Sequence, residues 1–283
     1  MKRLRALALF LAFLAFCGCE EAWARQAVKA AILYNLTAGK ILYEYNPNLQ
    51  TAPASLAKIM TMFLAMDAVK AGRLAYSQKV TVSRDAARAG GSTMSLRPGE
   101  RVPVSRLLAG TAVLSGNDAA TALAEAAGKS QANFVRMMNK KAARLGMKKT
   151  KFRNPTGLPA AGQKTTAKDL LLLCRAYFKA HPEALRFHRM LYLMHKGAAA
   201  RNTNPLLGVM EGVDGLKTGW TVDAGYNLIA TAKRGKTRLI AIALGGATKA
   251  DRASVVRNLL NLGFKYPTDP KMIRRAMDGA SKK

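Results

Sequence analysis

The sequence predicts an α+β fold in which an antiparallel sheet, built from both ends of the chain, carries helices packed against it. Three observations lead there. Near the start, AAILYNLTAGKILYEYN holds two β-rich runs around a turn at Ala38 and Gly39, which reads as a hairpin. The middle of the chain is a succession of apolar helical stretches. After residue 200 the pattern shifts to short β-like runs and then one closing helix.

The elements follow in order. An apolar run begins after Ser55 and predicts a helix to about Ala71. Ser55 would be its N-cap, a position where a side-chain oxygen satisfies a free backbone N–H. A capping box would place an acid or amide three residues later, yet Lys58 stands there, a cation at the positive end of the helix dipole. A polar, Gly-rich loop region containing ARAGGSTMSLRPGERVP comes next. VSRLLAGTAVLSGNDAATALAEAAG then reads as two helical pieces broken at Ser115-Gly116-Asn117. Ser130 caps QANFVRMMNKKAARLGM, which stops near Gly146, and TTAKDLLLLCRAYFKA is a buried helix limited by Pro182. GVDGLKTGWT, YNLIATAKR and TRLIAIALGG are strands, the last two hinged at Gly235, and DRASVVRNLLNLGF is the last helix.

The chain has 283 residues, 49% of them hydrophobic, enough for one large core. Residues 1–24 have the plan of a secretory signal peptide: Lys2, Arg3 and Arg5, an apolar run from Ala6 to Phe16, and AWA at 22–24. That run is too short to span a bilayer, which needs roughly 20 residues. The expected organisation is a leader over 1–24, one domain over 25–266 and a short basic tail over 267–283. The tail has Met272, Ile273, Ala276 and Met277 on a small apolar face, and fraying is expected for it. Two of three cysteines lie in the leader. Cys174 alone remains, so no intramolecular disulfide is available and the lone thiol reads as a buried small hydrophobe.

The formal net charge is +30, and the leader, with three basic and two acidic residues, accounts for only one unit of it. Such a charge points to an anionic partner. Export, sparse aromatics and the lack of a recognition-helix or zinc-finger pattern exclude nucleic acid. Peripheral contact with an anionic wall or membrane surface fits an exported, periplasmic or extracytoplasmic protein. His181, His188 and His195 recur every seven residues, but no H-E-x-x-H or carboxylate ligand accompanies them. They read as ordinary surface histidines, and neither a metal nor another cofactor is expected.

Three short motifs carry the chemistry. SLAK at 55–58 is the only S-x-x-K in the chain, SGN at 115–117 the only S-x-N, and KTG at 217–219 the only K-T-G. Each falls where the coarse reading needs it: a helix start, an inter-helix break and a strand. Positions i and i+3 share a helical face, so Lys58 can reach Ser55. A serine hydroxyl needs a base to become a nucleophile, and an amine serves only when its pKa is lowered. Burial and nearby positive charge both lower it, and the helix N-terminus and Lys217 supply the charge. Ser115 can relay a proton to a departing amine with Lys217 beside it, Asn117 can hydrogen-bond a substrate amide, and a KTGWT strand offers an edge to an extended peptide.

S-x-x-K, S-x-N and K-T-G in this order resemble the penicillin-binding proteins and class A β-lactamases. The resemblance extends over roughly residues 28–266 through ASLAKIMT, GSTMSLRPGE, LLAGTAVLSGNDAATALAE, FVRMMNKKAARLGM, KTGWTVDAGYNLIATAKR and LGFKYP. Over this length the sequence resembles the low-molecular-mass penicillin-binding proteins that act as serine-type D-alanyl-D-alanine carboxypeptidases. It implies the β-lactamase / penicillin-binding-protein transpeptidase-like fold, and a peptidoglycan stem peptide ending in D-Ala-D-Ala as substrate, with β-lactams as covalent inhibitors. It also implies an oxyanion hole from the backbone N–H groups of Ser55 and Trp220, with Gly219 beside it. Thr218 and Arg252 would bind the terminal carboxylate.

Three other functions compete. A class A β-lactamase needs a glutamate-and-asparagine loop to deacylate, but no E-x-x-L-N lies between Asn117 and Lys217, and Glu183 is followed by Ala-Leu-Arg. A D,D-endopeptidase would use the same machinery on cross-linked peptides, which lack the free terminal carboxylate at the cut. A wall-binding pseudoenzyme would keep the fold without the catalytic residues, all of which are present here. Longer members of the resembled family carry a second, β-rich domain and an amphipathic anchor, whereas 17 residues follow Tyr266.

Overall fold

The computed structural model describes residues 27–278; the expected leader at 1–24 lies outside them. The hairpin forms as read, with β1 (Ala30–Asn35) and β2 (Lys40–Tyr45) antiparallel. Next come a 3₁₀ turn at Ala54–Ala57 and α1 (Lys58–Lys70). Ser55 therefore sits inside the turn rather than capping the helix, and Lys58 is the first α-helical residue. α1 is buried on nearly all sides, including Ile59, Met60, Met62, Phe63 and Met66. A helix that is apolar all round belongs in the middle of a core, and this one runs through it.

Three short elements that the sequence left as loop bracket the next segment: β3 (Lys79–Thr81), α2 (Arg84–Ala87) and β4 (Arg101–Pro103), with β3 and β4 paired antiparallel. The two helical pieces are α3 (Val104–Val113) and α4 (Asn117–Gly128). Ser130 accepts a hydrogen bond from Asn133 N and caps α5 (Gln131–Arg144), while Thr166 does the same from Asp169 N for α6 (Ala167–Ala180). Cys174 is buried in α6, and burial pushes its thiol pKa far up, which makes it inert. A short helix, α7 (Leu185–His188), and a hairpin of β5 (Tyr192–His195) with β6 (Ala198–Arg201) follow; the hairpin was not foreseen.

The strands β7 (Val213–Thr221), β8 (Gly225–Arg234) and β9 (Thr237–Gly246) join the N-terminal hairpin in one antiparallel sheet of order β2-β1-β9-β8-β7. Both faces are covered, and the period of two divides the side chains between them. Ala30, Ile32, Ile240 and Ile242 pack toward the helical body that contains α1, whereas Ala31, Leu33, Ala241 and Ala243 face the other way. There they meet Val255, Val256, Leu259 and Leu260 of α8 (Lys249–Lys265). Thr248 and Asp251 close a capping box at the start of α8.

The tail is not frayed over its described part. Pro270–Asp278 forms α9, and Ile273 and Met277 are buried in the same layer as α8. Of the apolar face read from the sequence, Ile273 and Met277 pack inward against the fold, while Met272 is exposed. Ile273→Ala should therefore cost about 2–5 kcal/mol of stability in denaturant unfolding. A change within experimental error would show that α9 contributes nothing to the core.

Candidate active site

The site assembles where the Ser55 turn meets the edge strand β7. Gly219 makes that approach possible, because an added Cβ there would lie 3.0 Å from Ser55 N and 3.2 Å from Ala54 Cβ. On the opposite side, Gly157 has φ +81° and would place a Cβ 1.7 Å from Ala54 O, so the loop after α5 also closes directly on the turn.

Lys58 is fully buried. Its Nζ lies 2.8 Å from Ser55 Oγ and donates to Thr156 O at 2.7 Å. Burial drives its pKa well below the ordinary lysine value, the charge of Lys217 lowers it further, and Asp118 opposes both. An uncharged amine retains a lone pair, and at this distance that lone pair can take the Ser55 proton. Lys217 is buried as well, donates to Thr218 O at 3.0 Å, and has its pKa lowered to about 7, first by burial and then by Arg252.

Ser115 occupies the break between α3 and α4 with φ +59°, a left-handed conformation rare outside glycine. Its Oγ is buried without a hydrogen-bond partner, as is Asn117 Oδ1. Asn117 Nδ2 donates to Gly90 O, and Asn117 N to Ser92 O at 2.7 Å. Thr218 Oγ1 donates to Thr203 Oγ1 at 2.8 Å. Arg252, in the first turn of α8, donates through Nη1 to Asn227 O at 3.0 Å and Gly219 O at 3.3 Å, while its buried Nε has no partner. Trp220 is 53% exposed, its ring 5.7 Å from that of Tyr226.

The structure thus brings the sequence-derived residues into one region. A cavity of about 540 Å³ is lined by Ser55, Ser115, Thr218, Gly219, Trp220 and Arg252 among others, with Lys58, Asn117 and Lys217 buried in its surroundings. Orphaned polar atoms on Ser115, Asn117 and Arg252 point to a polar guest, since a buried polar group without a partner is costly.

Sequence reasoning missed the supports. Asn154 Oδ1 accepts from Gly157 N at 2.7 Å and Thr156 Oγ1 at 3.0 Å, shaping the turn that presents Thr156 O to Lys58. The N-P-T-G run at 154–157 was the available signal. Asp118 accepts from Met94 N and Leu96 N at 2.9 and 3.0 Å and holds the GSTMSL loop in place. Two histidines are corrected: His181 and His188 are buried rather than surface residues. His181 Nε2 lies 2.8 Å from Asp67 Oδ1. His188 Nδ1 lies 3.1 Å from Leu216 O, a pure acceptor, so the ring N–H donates there. Nε2, 3.2 Å from the Tyr177 hydroxyl, is then the acceptor.

A profile of the D-alanyl-D-alanine carboxypeptidases, the S11 peptidases, matches residues 19–248. The chain belongs to the S11 peptidase family. Its relatives include the D-alanyl-D-alanine carboxypeptidase DacF of Bacillus subtilis, 42% identical over 248 residues, which cover 86% of this chain and 64% of the relative. The chain thus spans just under two thirds of that relative's length. Among solved S11-like structures, penicillin-binding protein 5 of Haemophilus influenzae superposes with a TM-score of 0.81 at 34% identity, over 84% of this chain and 71% of that one. Penicillin-binding protein D2 of Listeria monocytogenes in its cefotaxime-bound form gives 0.77 at 35% identity, over 84% and 97%. The fold of this S11 member is therefore the penicillin-binding-protein, transpeptidase-like α+β fold expected from the sequence.

Burial lowers the His188 pKa to about 3, against 6.5 for an ordinary histidine. Between those values the unfolded chain binds a proton that the folded chain refuses, so this stability is intact above pH 6.5 and lost as pH falls toward 3. Two results are expected: the His188 ring does not titrate between pH 5 and 8 by NMR, and His188→Gln flattens the acid-side decline of stability. A normal histidine titration would contradict the assignment.

Proposed function

We propose that the protein is an exported serine D,D-carboxypeptidase that removes the terminal D-alanine from peptidoglycan stem pentapeptides. The observation that carries the proposal is the buried Lys58 amine 2.8 Å from the Ser55 hydroxyl, its pKa lowered by burial, beside a cavity that Ser55 and Arg252 both line. Family membership and the carboxypeptidase activity for which its relatives are named support it.

Lys58 takes the Ser55 proton as Oγ attacks the carbonyl of the penultimate D-alanine. The tetrahedral oxyanion is held by the N–H groups of Ser55 and Trp220; one such donor is worth roughly 2.7–4 kcal/mol in a well-studied protease. The C–N bond then breaks, and the leaving amine receives a proton through Ser115, whose unpartnered Oγ is free to make the relay beside Lys217. Asn117 orients the acyl amide. Thr218 and Arg252 bind the free carboxylate, the orphaned Arg252 Nε being available to it. Water next cleaves the Ser55 ester and restores the enzyme.

Arg252 favours the carboxypeptidase over the endopeptidase reading, since only a chain end offers that carboxylate. No carboxylate lines the cavity to activate a deacylating water as in a class A β-lactamase, so a penicillin acyl-enzyme should persist. The cefotaxime-bound Listeria neighbour is in keeping with β-lactam acylation. The leader-like residues 1–24 support a periplasmic or extracytoplasmic location. Among the described residues no helix is long and apolar enough to cross a membrane. The strong positive charge would hold the enzyme near anionic wall polymer or lipid.

Fluorescent penicillin should label the protein covalently at Ser55, and Lys58→Ala should slow labelling by at least about a hundredfold, the scale of a lost general base. No adduct, or an adduct that survives Ser55→Ala, would defeat the mechanism. A free D-Ala-D-Ala pentapeptide should release D-alanine faster than a cross-linked dimer is cut; the reverse order would make the enzyme an endopeptidase.

A further inference from the structure

Away from the Ser55 cleft, a cavity of about 750 Å³ opens between the β1–β2 turn, the end of α5 and the outer face of α6. Arg144, Arg175 and Lys179 line it, and no acid does. All three are exposed, and none makes an ion pair among the described residues. Tyr34 lines the same cavity but is only 2% exposed, and the Arg175 guanidinium sits 4.9 Å over its ring. Its hydroxyl has no hydrogen-bond partner among the described residues. A buried tyrosine hydroxyl normally finds one, so this group is a donor in reserve beside three cations.

The cations continue beyond the cavity in two lines. On α5, Arg136, Lys140 and Arg144 recur at every fourth position, and on α6 Lys168, Arg175 and Lys179 share one exposed face. At 1.5 Å per residue, neighbours within a line are about 6 to 10 Å apart. Like charges four residues apart destabilise a helix. No acid relieves them: α5 has none, and Asp169 of α6 is buried and accepts from Lys149 N and Thr150 Oγ1. Helix dipoles favour Arg144 and Lys179, each in a last turn, but oppose Lys168 in the first turn of α6. An anionic guest would offset the repulsion that remains.

The form of the site says which anion. A recessed pocket continued by spaced cations fits a linear polymer, whose successive charges can meet successive side chains. A bilayer would instead call for protruding apolar groups. Tyr192, Met194, Val209, Trp220 and Val222 are each more than half exposed, and none of them lines this cavity. The planar fork of arginine also matches phosphate oxygens. We infer that the cavity and its two cation lines bind a polyanion of phosphodiester-linked polyol units, with Arg144, Arg175 and Lys179 gathering phosphate oxygens and Tyr34 donating beneath them. The inference rests on the proposed export, which makes a wall polymer the available polyanion, and not on the proposed catalysis.

Strand register sets this site diagonally across the sheet from the nucleophile. Asn35, beside the β1–β2 turn, is level with Leu239, Ala232 and Val213, whereas Trp220 is at the other end of β7, level with Tyr226 and Gly246. β1 and β7 stand three strand spacings apart, about 14 Å. A polymer held here leaves the Ser55 cleft open to a stem peptide.

The test measures binding of the full chain to a soluble oligomer of glycerol phosphate by calorimetry at several salt concentrations. In the triple variant Arg144→Gln, Arg175→Gln, Lys179→Gln, affinity at low salt should fall about tenfold or more. The slope of log K against log salt should shrink by about two, at roughly 0.7 per lost contact. A charge-matched control in the β3–β4 segment, Lys79→Gln, Arg84→Gln, Arg101→Gln, should lose less than about threefold. Circular dichroism checks that both variants are folded, and both should release D-alanine from a free pentapeptide at the wild-type rate. No binding by the wild type, or equal losses in the two variants, would overturn the site. Tighter binding to phosphatidylglycerol vesicles than to the oligomer, lost in the same triple variant, would make it a lipid site and overturn the polymer. A wild type that binds the oligomer but releases no D-alanine would support this site while defeating the catalytic reading.

Discussion

The site depends on one unusual constraint: a lysine amine held out of water between a serine hydroxyl and a backbone carbonyl. At 2.8 Å from Ser55 Oγ and 2.7 Å from Thr156 O, Lys58 has no room for a hydration shell. Keeping an ammonium ion there would be expensive, and Lys217 makes it more so, with Asp118 as the opposing acid. Burial and Lys217 relieve that cost by shifting the amine toward its uncharged form, which is also the state a base needs. The same arrangement that would weaken an ordinary helix start is the one the proposed nucleophile requires.

The rest of the architecture serves that constraint. α1 is buried almost all round, so Lys58 enters the core at its first turn. A sheet closed by both chain ends sets β7 at its edge, with one side free to face the Ser55 turn. Gly219 and Gly157 allow backbone to approach that turn from two directions. His188, neutral at ordinary pH, adds a hydrogen bond to Leu216 O, next to Lys217 in the strand. Rigid elements thus hold the reacting groups, which is what preorganised catalysis requires.

Much of this was legible in the residues. The period of two in AAILYN and TRLIAIALGG, the caps at Ser130 and the order of elements all carry local signals, and the sheet follows from them. S-x-x-K, S-x-N and K-T-G were readable because their chemistry depends on residue type at short spacing. Local rules failed where tertiary contact decides. Ser55 looked like a cap, yet the 3₁₀ turn places it where β7 can reach it. His181 and His188 looked like surface residues because their partners, Asp67, Tyr177 and Leu216, lie elsewhere in the sequence. Thr156 contributes only a carbonyl oxygen, which no side-chain motif could announce. The tail looked frayed because the layer that buries Ile273 and Met277 comes from strands and a helix far from it.

The most direct test of the account is the ionisation of Lys58 in the free enzyme. Isotope-edited NMR of the lysine side chains, assigned with Lys58→Arg, would follow its titration. The account predicts an amine that is substantially neutral near neutral pH, with a pKa well below 10.5. A Lys58 that titrates like an ordinary surface lysine would contradict it.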